Sequence, residues 1–146
     1  MFKLHPRIKS DTLPLLQLPL CQVRLMNDMH YPWLVLIPQR PDIEEIYQLG
    51  PEDQQQLIKE SSLVARVLRE GMQSDKVNIA AFGNKVSQLH LHHIGRYQND
   101  IAWPESVIGF SRAEPYTHDY LILMQQRLRY LIEQYADGMR LRWHLR

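Results

Sequence analysis

The sequence predicts a single α+β domain, an antiparallel sheet with one long helix packed on it and a second helix near the C-terminus. Three observations predict it. Two stretches, after Gly50-Pro51 and from Tyr116 to Tyr135, repeat their apolar residues at helical spacing. Four short stretches, at Leu20–Met26, Trp33–Ile37, Lys76–Phe82 and Val86–Arg96, carry strand patterns. The 146 residues contain no internal repeat, low-complexity tract or linker, which fits one domain with one real core, spanning 1–146.

The opening stretch is broken by Pro6, Pro14 and Pro19, with Leu13, Leu15, Leu16 and Leu18 between them. It reads as a short helical turn followed by irregular chain packed on the core. From Leu20 to Met26 the residues alternate, Cys21, Val23 and Leu25 on one face, Gln22 and Arg24 on the other. Asn27 to Pro32 is a turn, since Asn and Asp bond their own backbone and Pro32 restricts its predecessor. Trp33–Ile37 is apolar throughout and reads as a buried strand ended by Pro38.

Pro41–Leu49 reads as a loop with one short helix. Gly50-Pro51-Glu52-Asp53 then starts a long one, with proline preset for the first turn and acids near the positive end of the helix dipole. Leu57, Val64, Ala65 and Leu68 form its apolar stripe and Gly71 its stop. Lys76–Phe82 and Val86–Arg96 read as neighbouring strands joined tightly through Gly83-Asn84. Tyr97–Pro115 is a loop. The C-terminal helix, about 116–136, aligns Leu121, Gln125, Leu128, Ile132 and Tyr135, widened by Met124 and Leu131. It ends near Gly138, and the tail from Met139 to Arg146 is basic.

Composition excludes several function classes. Seventeen basic and 16 acidic residues leave a net charge of +1, no electrostatic footprint for nucleic acid or an anionic membrane. The longest apolar runs fall far below the ~20 residues a membrane span needs, and Met1–Arg7 is too polar for a secretory signal. Cys21, the single cysteine, cannot form an internal disulfide and reads as a small buried hydrophobe. A reducing cytoplasm is the expected location.

Three of seven histidines lie within four residues, in Gln88-Leu89-His90-Leu91-His92-His93-Ile94. On a strand, Gln88, His90 and His92 share one face, while Leu89, Leu91 and His93 take the other. From the residues alone, the His-x-His pair fits a solvated sheet face, a surface that moves protons near neutral pH, or a zinc site. No cysteine cluster or second His/acid pair stands nearby in sequence to complete a metal site.

The stretch Asn78 to Arg96, with Gly83-Asn84-Lys85-Val86 leading into Gln88-Leu89-His90-Leu91-His92-His93-Ile94, resembles the signature of the histidine-triad (HIT) family. Upstream, Asn27 followed by Tyr31-Pro32-Trp33-Leu34-Val35-Leu36-Ile37-Pro38 resembles that family's other strand pair. Order and spacing match over about residues 20–105. The resemblance implies a sheet of about five strands and a homodimer whose two sheets continue into one of about ten. It also implies a nucleotide-binding hydrolase or nucleotidyl transferase, with dinucleoside polyphosphates among the possible substrates and neither cofactor nor metal. His90, the middle triad position, attacks the α-phosphorus to form a nucleotidyl-histidine, and His92 contacts the phosphate or leaving group. Asn27 matches the ribose contact, and Asn84, Lys85 and Val86 match the loop that approaches the phosphates.

The chain departs from the family pattern in three places. Gln88 stands at the first triad position, where it can hydrogen-bond but cannot carry a proton. Leu34 stands where the upstream segment commonly supplies a further histidine, and His93 replaces an apolar residue. These losses motivate an alternative, a nucleotide-binding dimeric scaffold with little turnover. Trp103-Pro104 is either an aromatic anchor or, as the resemblance implies, part of a dimer interface near the base. His5, His30, His118 and His144 receive no role.

Overall fold

The structure is a computed structural model and describes residues 1–144. The last two residues of the basic tail lie outside the described residues. In chain order the elements are helix α1 (Pro6–Asp11), strands β1 (Thr12–Gln17), β2 (Cys21–Met26) and β3 (Trp33–Pro38), a 3-10 turn at Ile46–Gln48 and helix α2 (Pro51–Arg66). Then come strands β4 (Lys76–Ala81) and β5 (Leu91–Arg96), helix α3 (His118–Tyr135) and strand β6 (Arg142–Trp143). The backbone of α2 runs on into a π turn at Val67–Gly71, so the long helical segment ends at the glycine that the sequence marks as its stop. Among the described residues, no helix is long and apolar enough to cross a membrane.

The strands form one antiparallel sheet in the order β4-β5-β3-β2-β1-β6. It has six strands, where about five were expected. The stretch read as irregular chain is β1, and the added sixth strand is a two-residue pairing from the tail. Proline is tolerated in β1 because β6 pairs only with Leu16 and Gln17, which leaves Pro14 at an open edge. The register of β1 against β2 also shifts between Pro14 and Leu16, the irregularity expected of a bulge. The link between β4 and β5 is not tight either. Residues 82–90 form an extended loop, and β5 begins only at Leu91.

β3 lies between β2 and β5 and is covered on both faces, so all six of its residues are buried. Leu34 and Leu36 face the helix layer with Cys21, Val23 and Leu25 of β2, Leu57, Val64 and Leu68 of the α2 segment, and Leu128, Leu131 and Ile132 of α3. Trp33, Val35 and Ile37 face the other way, into a second core closed by Ile8 of α1 and by Ala102 and Val107 of the long loop. Cys21 is buried, as expected, and burial followed by the nearby Glu60 pushes its thiol well up. The buried Glu60 carboxylate accepts the backbone N–H groups of Leu20 and Cys21, both at 2.8 Å, and so ties α2 to the start of β2.

Candidate active site

β5 carries the histidines, and its pairing with β3 decides which of them meet. His92 pairs with Val35 and His93 with Leu34. Residues paired across an antiparallel sheet share a face, so His92 turns to the second core while His93 goes beneath the helices. His93 is fully buried, 2.7 Å from Ser61 Oγ and 3.1 Å from the Leu91 carbonyl. Burial lowers its pKa to about 4 and keeps it neutral there. It has no part in the site, as the alternation predicts.

His90 and His92 stand side by side, their ring centroids 5.2 Å apart at 76°. Each ring has one nitrogen whose role is set by its partner. His90 Nδ1 lies 2.7 Å from the Gln88 backbone carbonyl. A carbonyl only accepts, so Nδ1 carries the proton, and in the neutral ring Nε2 keeps its lone pair. His92 Nδ1 lies 3.0 Å from the indole Nε1 of Trp33. An indole N–H only donates, so Nδ1 is the acceptor and the proton of neutral His92 sits on Nε2. Burial first, then the neighbouring His90 and His93, lowers the His92 pKa to about 4. The pair is therefore a basic nitrogen beside a neutral N–H donor.

Both rings line a cavity of about 480 Å3, within the usual size range of small-molecule sites. Asn84, Lys85 and Val86 of the 82–90 loop line it too, as do Trp33 and Val35 of β3, Arg7, Ile8 and Asp11 of α1, and Val107 and Ile108 of the long loop. Five of the expected site residues, His90, His92, Asn84, Lys85 and Val86, thus come together.

Two do not. The Gln88 side chain turns away from the cavity, because the chain at Gln88 is not yet strand and the alternation does not reach it. Its Oε1 accepts the His5 N–H at 2.9 Å and its Nε2 donates to the Lys3 carbonyl at 2.8 Å, clasping the N-terminal segment. What Gln88 gives the site is its backbone carbonyl. Asn27 is turned away as well, with Oδ1 accepting the Tyr116 N–H at 2.9 Å. Its neighbour Asp28, buried, lines the cavity instead. Asp28 Oδ1 accepts the backbone N–H groups of His30 and Glu114. Asn27 and Asp28 together pin the end of the loop that supplies Val107 and Ile108.

Sequence reasoning missed Trp33 and Asp28. Leu34, taken for the position of the upstream histidine, lies on the helix face, and the side chain that reaches His92 is Trp33. The signal was present in β3, since alternation puts Trp33 with Val35 and apart from Leu34. Trp103 lies against the buried Arg96 guanidinium, 5.7 Å from carbon to ring centroid, and does not line the cavity. Among the described residues no group of three or more His, Cys, Asp or Glu side chains is placed to hold a metal ion.

A model of the HIT domain matches residues 8–99 of the chain. The chain belongs to the HIT family. Solved structures agree in sequence and fold. A histidine triad protein from Marinobacter aquaeolei VT8 is 47% identical, covering 93% of this chain and 99% of its own, with a TM-score of 0.89. A histidine triad (HIT) protein from Sinorhizobium meliloti 1021 is 44% identical over 89% of this chain and 96% of its own, with a TM-score of 0.86. One from Bradyrhizobium japonicum is 43% identical over 90% and 98%, with a TM-score of 0.87. No curated protein matches the chain. In this HIT protein the α+β architecture expected from the sequence stands, with a sixth strand added.

Proposed function

We propose that this HIT protein, of a subgroup with glutamine at the first triad position, is a nucleotidyl hydrolase or transferase acting at the α-phosphate of a nucleotide. Anhydrides such as dinucleoside polyphosphates, esters and phosphoramidates are its substrate class. The observation that carries the reading is the His90 ring, its Nδ1–H held by the Gln88 carbonyl so that Nε2 is left as the nucleophile. Nε2 attacks the α-phosphorus, a P–N bond forms, and the P–O or P–N bond to the leaving group breaks. The Gln88 carbonyl supports the positive charge that the substituted ring then carries. Water attacks the same phosphorus, the P–N bond breaks, its proton passes to solvent, and the nucleoside monophosphate leaves. Two displacements replace one difficult one.

His92 donates Nε2–H to a phosphate or leaving-group oxygen, and Asn84, Lys85 and the Val86 backbone approach the phosphates. Lys85 adds positive charge where negative charge develops. Asp28, which lines the cavity, takes the ribose hydroxyls in place of Asn27, which does not. Adenosine phosphoramidate and diadenosine polyphosphates test the reading. Release of adenosine monophosphate is expected, with a nucleotidyl adduct on the peptide bearing His90 after an alkaline quench. Tight binding of nucleoside monophosphates by calorimetry, with no turnover across the panel, would instead establish the scaffold reading. That reading draws on Gln88, which offers the cavity no second proton carrier.

We also infer a homodimer built on the β4 edge. β4 pairs only with β5 among the described residues and leaves Ile79 half exposed. An open apolar edge invites pairing with a second copy. Light scattering at micromolar concentration is expected to give twice the chain mass, and a monomer there would sink the inference.

A further inference from the structure

We propose that Trp33 is a positioning residue that locks the tautomer of His92, so that His92 meets the substrate as a neutral Nε2–H donor and never as a ring that exchanges protons through both nitrogens. The contact is direct. Trp33 Nε1 lies 3.0 Å from His92 Nδ1, and the two rings meet edge to face at 5.5 Å and 65°. Trp33 is held firmly enough to impose this geometry. It is buried, it pairs with Ile94 across β3 and β5, and Tyr31 packs against its ring at 6.3 Å.

The chemistry of indole makes the contact one-way. Its N–H donates, it has no lone pair to accept with, and it does not give up its proton in the range a protein survives. Trp33 therefore cannot take a proton from His92 and pass it on. Protonating His92 at Nδ1 would set two N–H groups head to head in a buried site, at the cost of a lost hydrogen bond and an unsatisfied donor. The other groups around His92 push the same way or stand apart. His90 lies beside it on the cavity face, and His93 lies behind it under α2. Phe82 packs against it at 6.2 Å and contributes no charge. The charged groups on the cavity wall are Lys85, Arg7, Asp11 and Asp28. The low His92 pKa, about 4, agrees with this arrangement. His92 then works by holding a hydrogen bond to a phosphoryl oxygen, and any proton the leaving group needs comes from solvent.

The inference rests on the hydrolase reading for its effect on turnover, but the tautomer can be measured without substrate. Imidazole nitrogen-15 shifts of the wild-type protein at neutral pH are expected to show His92 with unprotonated Nδ1 and protonated Nε2, titrating well below an ordinary histidine. Trp33→Phe keeps an aromatic ring and removes the donor. An Nδ1–H population should then appear, the His92 midpoint should rise by about one pH unit or more, and kcat should fall about tenfold with a smaller change in KM. A wild-type His92 in the Nδ1–H form overturns the lock even if the variant fails to fold. So does a Trp33→Phe protein whose His92 tautomer and midpoint match wild type. A tautomer that responds to Trp33→Phe in a protein that turns over none of the panel supports the lock and overturns the hydrolase reading alone.

Discussion

His90→Asn is expected to lower nucleotide turnover on the order of 10^4-fold or more, because it removes the atom proposed to form the covalent bond. Asparagine can keep a hydrogen bond in the place of Nδ1–H but offers no basic nitrogen to phosphorus. The residues proposed to hold the nucleotide, Asn84, Lys85 and Asp28, lie elsewhere on the cavity wall. Binding of a nucleoside monophosphate should therefore change by less than about tenfold, a loss of roughly 1.4 kcal/mol at most. Side-by-side calorimetry and single-turnover kinetics on wild type and variant check both halves. A variant that retains wild-type turnover removes His90 from the mechanism. A variant that loses both binding and turnover shows that the residue shapes the cavity and is not simply the nucleophile.

The parts of this protein that were legible in the sequence are those whose signals are local. α2 and α3 each repeat apolar residues over several turns, and the buried Leu57, Val64, Leu68, Leu128 and Ile132 are among the residues that the periodicity selects, while Ala65, Leu121, Gln125 and Tyr135 of the same stripes are only partly buried. β3 was legible for a related reason, since a strand covered on both faces must be apolar throughout. β1 was not, because Pro14 and Pro19 are local signs of irregularity and only the position at an open sheet edge makes Pro14 acceptable. β6 carries no local signal, and its pairing with Leu16 and Gln17 exists only in the folded chain.

The candidate site divides along the same line. Alternation brings His90 and His92 together and sends His93 away, a property of a few consecutive residues. The Gln88 side chain depends on Lys3 and His5, more than eighty positions earlier. Asn27 and Asp28 depend on Glu114 and Tyr116, nearly ninety positions later. No periodicity relates residues so far apart. Trp33 was hidden differently. Aligning its segment by resemblance placed the upstream histidine one residue late, at Leu34, whereas the register of β3 against β5 gives that face to Trp33.

Asp100→Ala is expected to be the most destabilising single change outside the apolar core, at about 3–5 kcal/mol. Arg96 and Asp100 face each other with side chains 2% and 4% exposed and make a two-pronged pair, Nε to Oδ2 at 2.8 Å and Nη2 to Oδ1 at 3.1 Å. Tyr31 and Trp103 flank the guanidinium, and Asn78 Oδ1 accepts its remaining arm at 2.8 Å. The alanine leaves a buried cation without its counterion. It also orphans the backbone N–H groups of Tyr97 and Ala102, which donate to the Asp100 carboxylate, and leaves the Trp103 N–H with only the Asp100 backbone carbonyl at 3.3 Å.

Arg96→Met should cost less, because Asp100 keeps those three donors while methionine fills much of the space. This ordering separates a carboxylate that organises the loop from one that merely neutralises the arginine, and urea unfolding of both variants measures it. Equal losses would reduce the pair to a simple ion pair. The pH dependence follows from the same contacts. Burial alone pushes the Asp100 carboxyl up, but the Arg96 guanidinium and the backbone N–H groups together hold it below its ordinary 3.8. A carboxylate lowered in the folded state stabilises fully above its unfolded pKa and loses that contribution as pH falls through the folded value. The gap between wild type and Asp100→Asn should therefore be constant from neutral pH down to about 4 and shrink below it. A gap that widens with acidification would mean that the carboxyl is not held ionised by Arg96 at all.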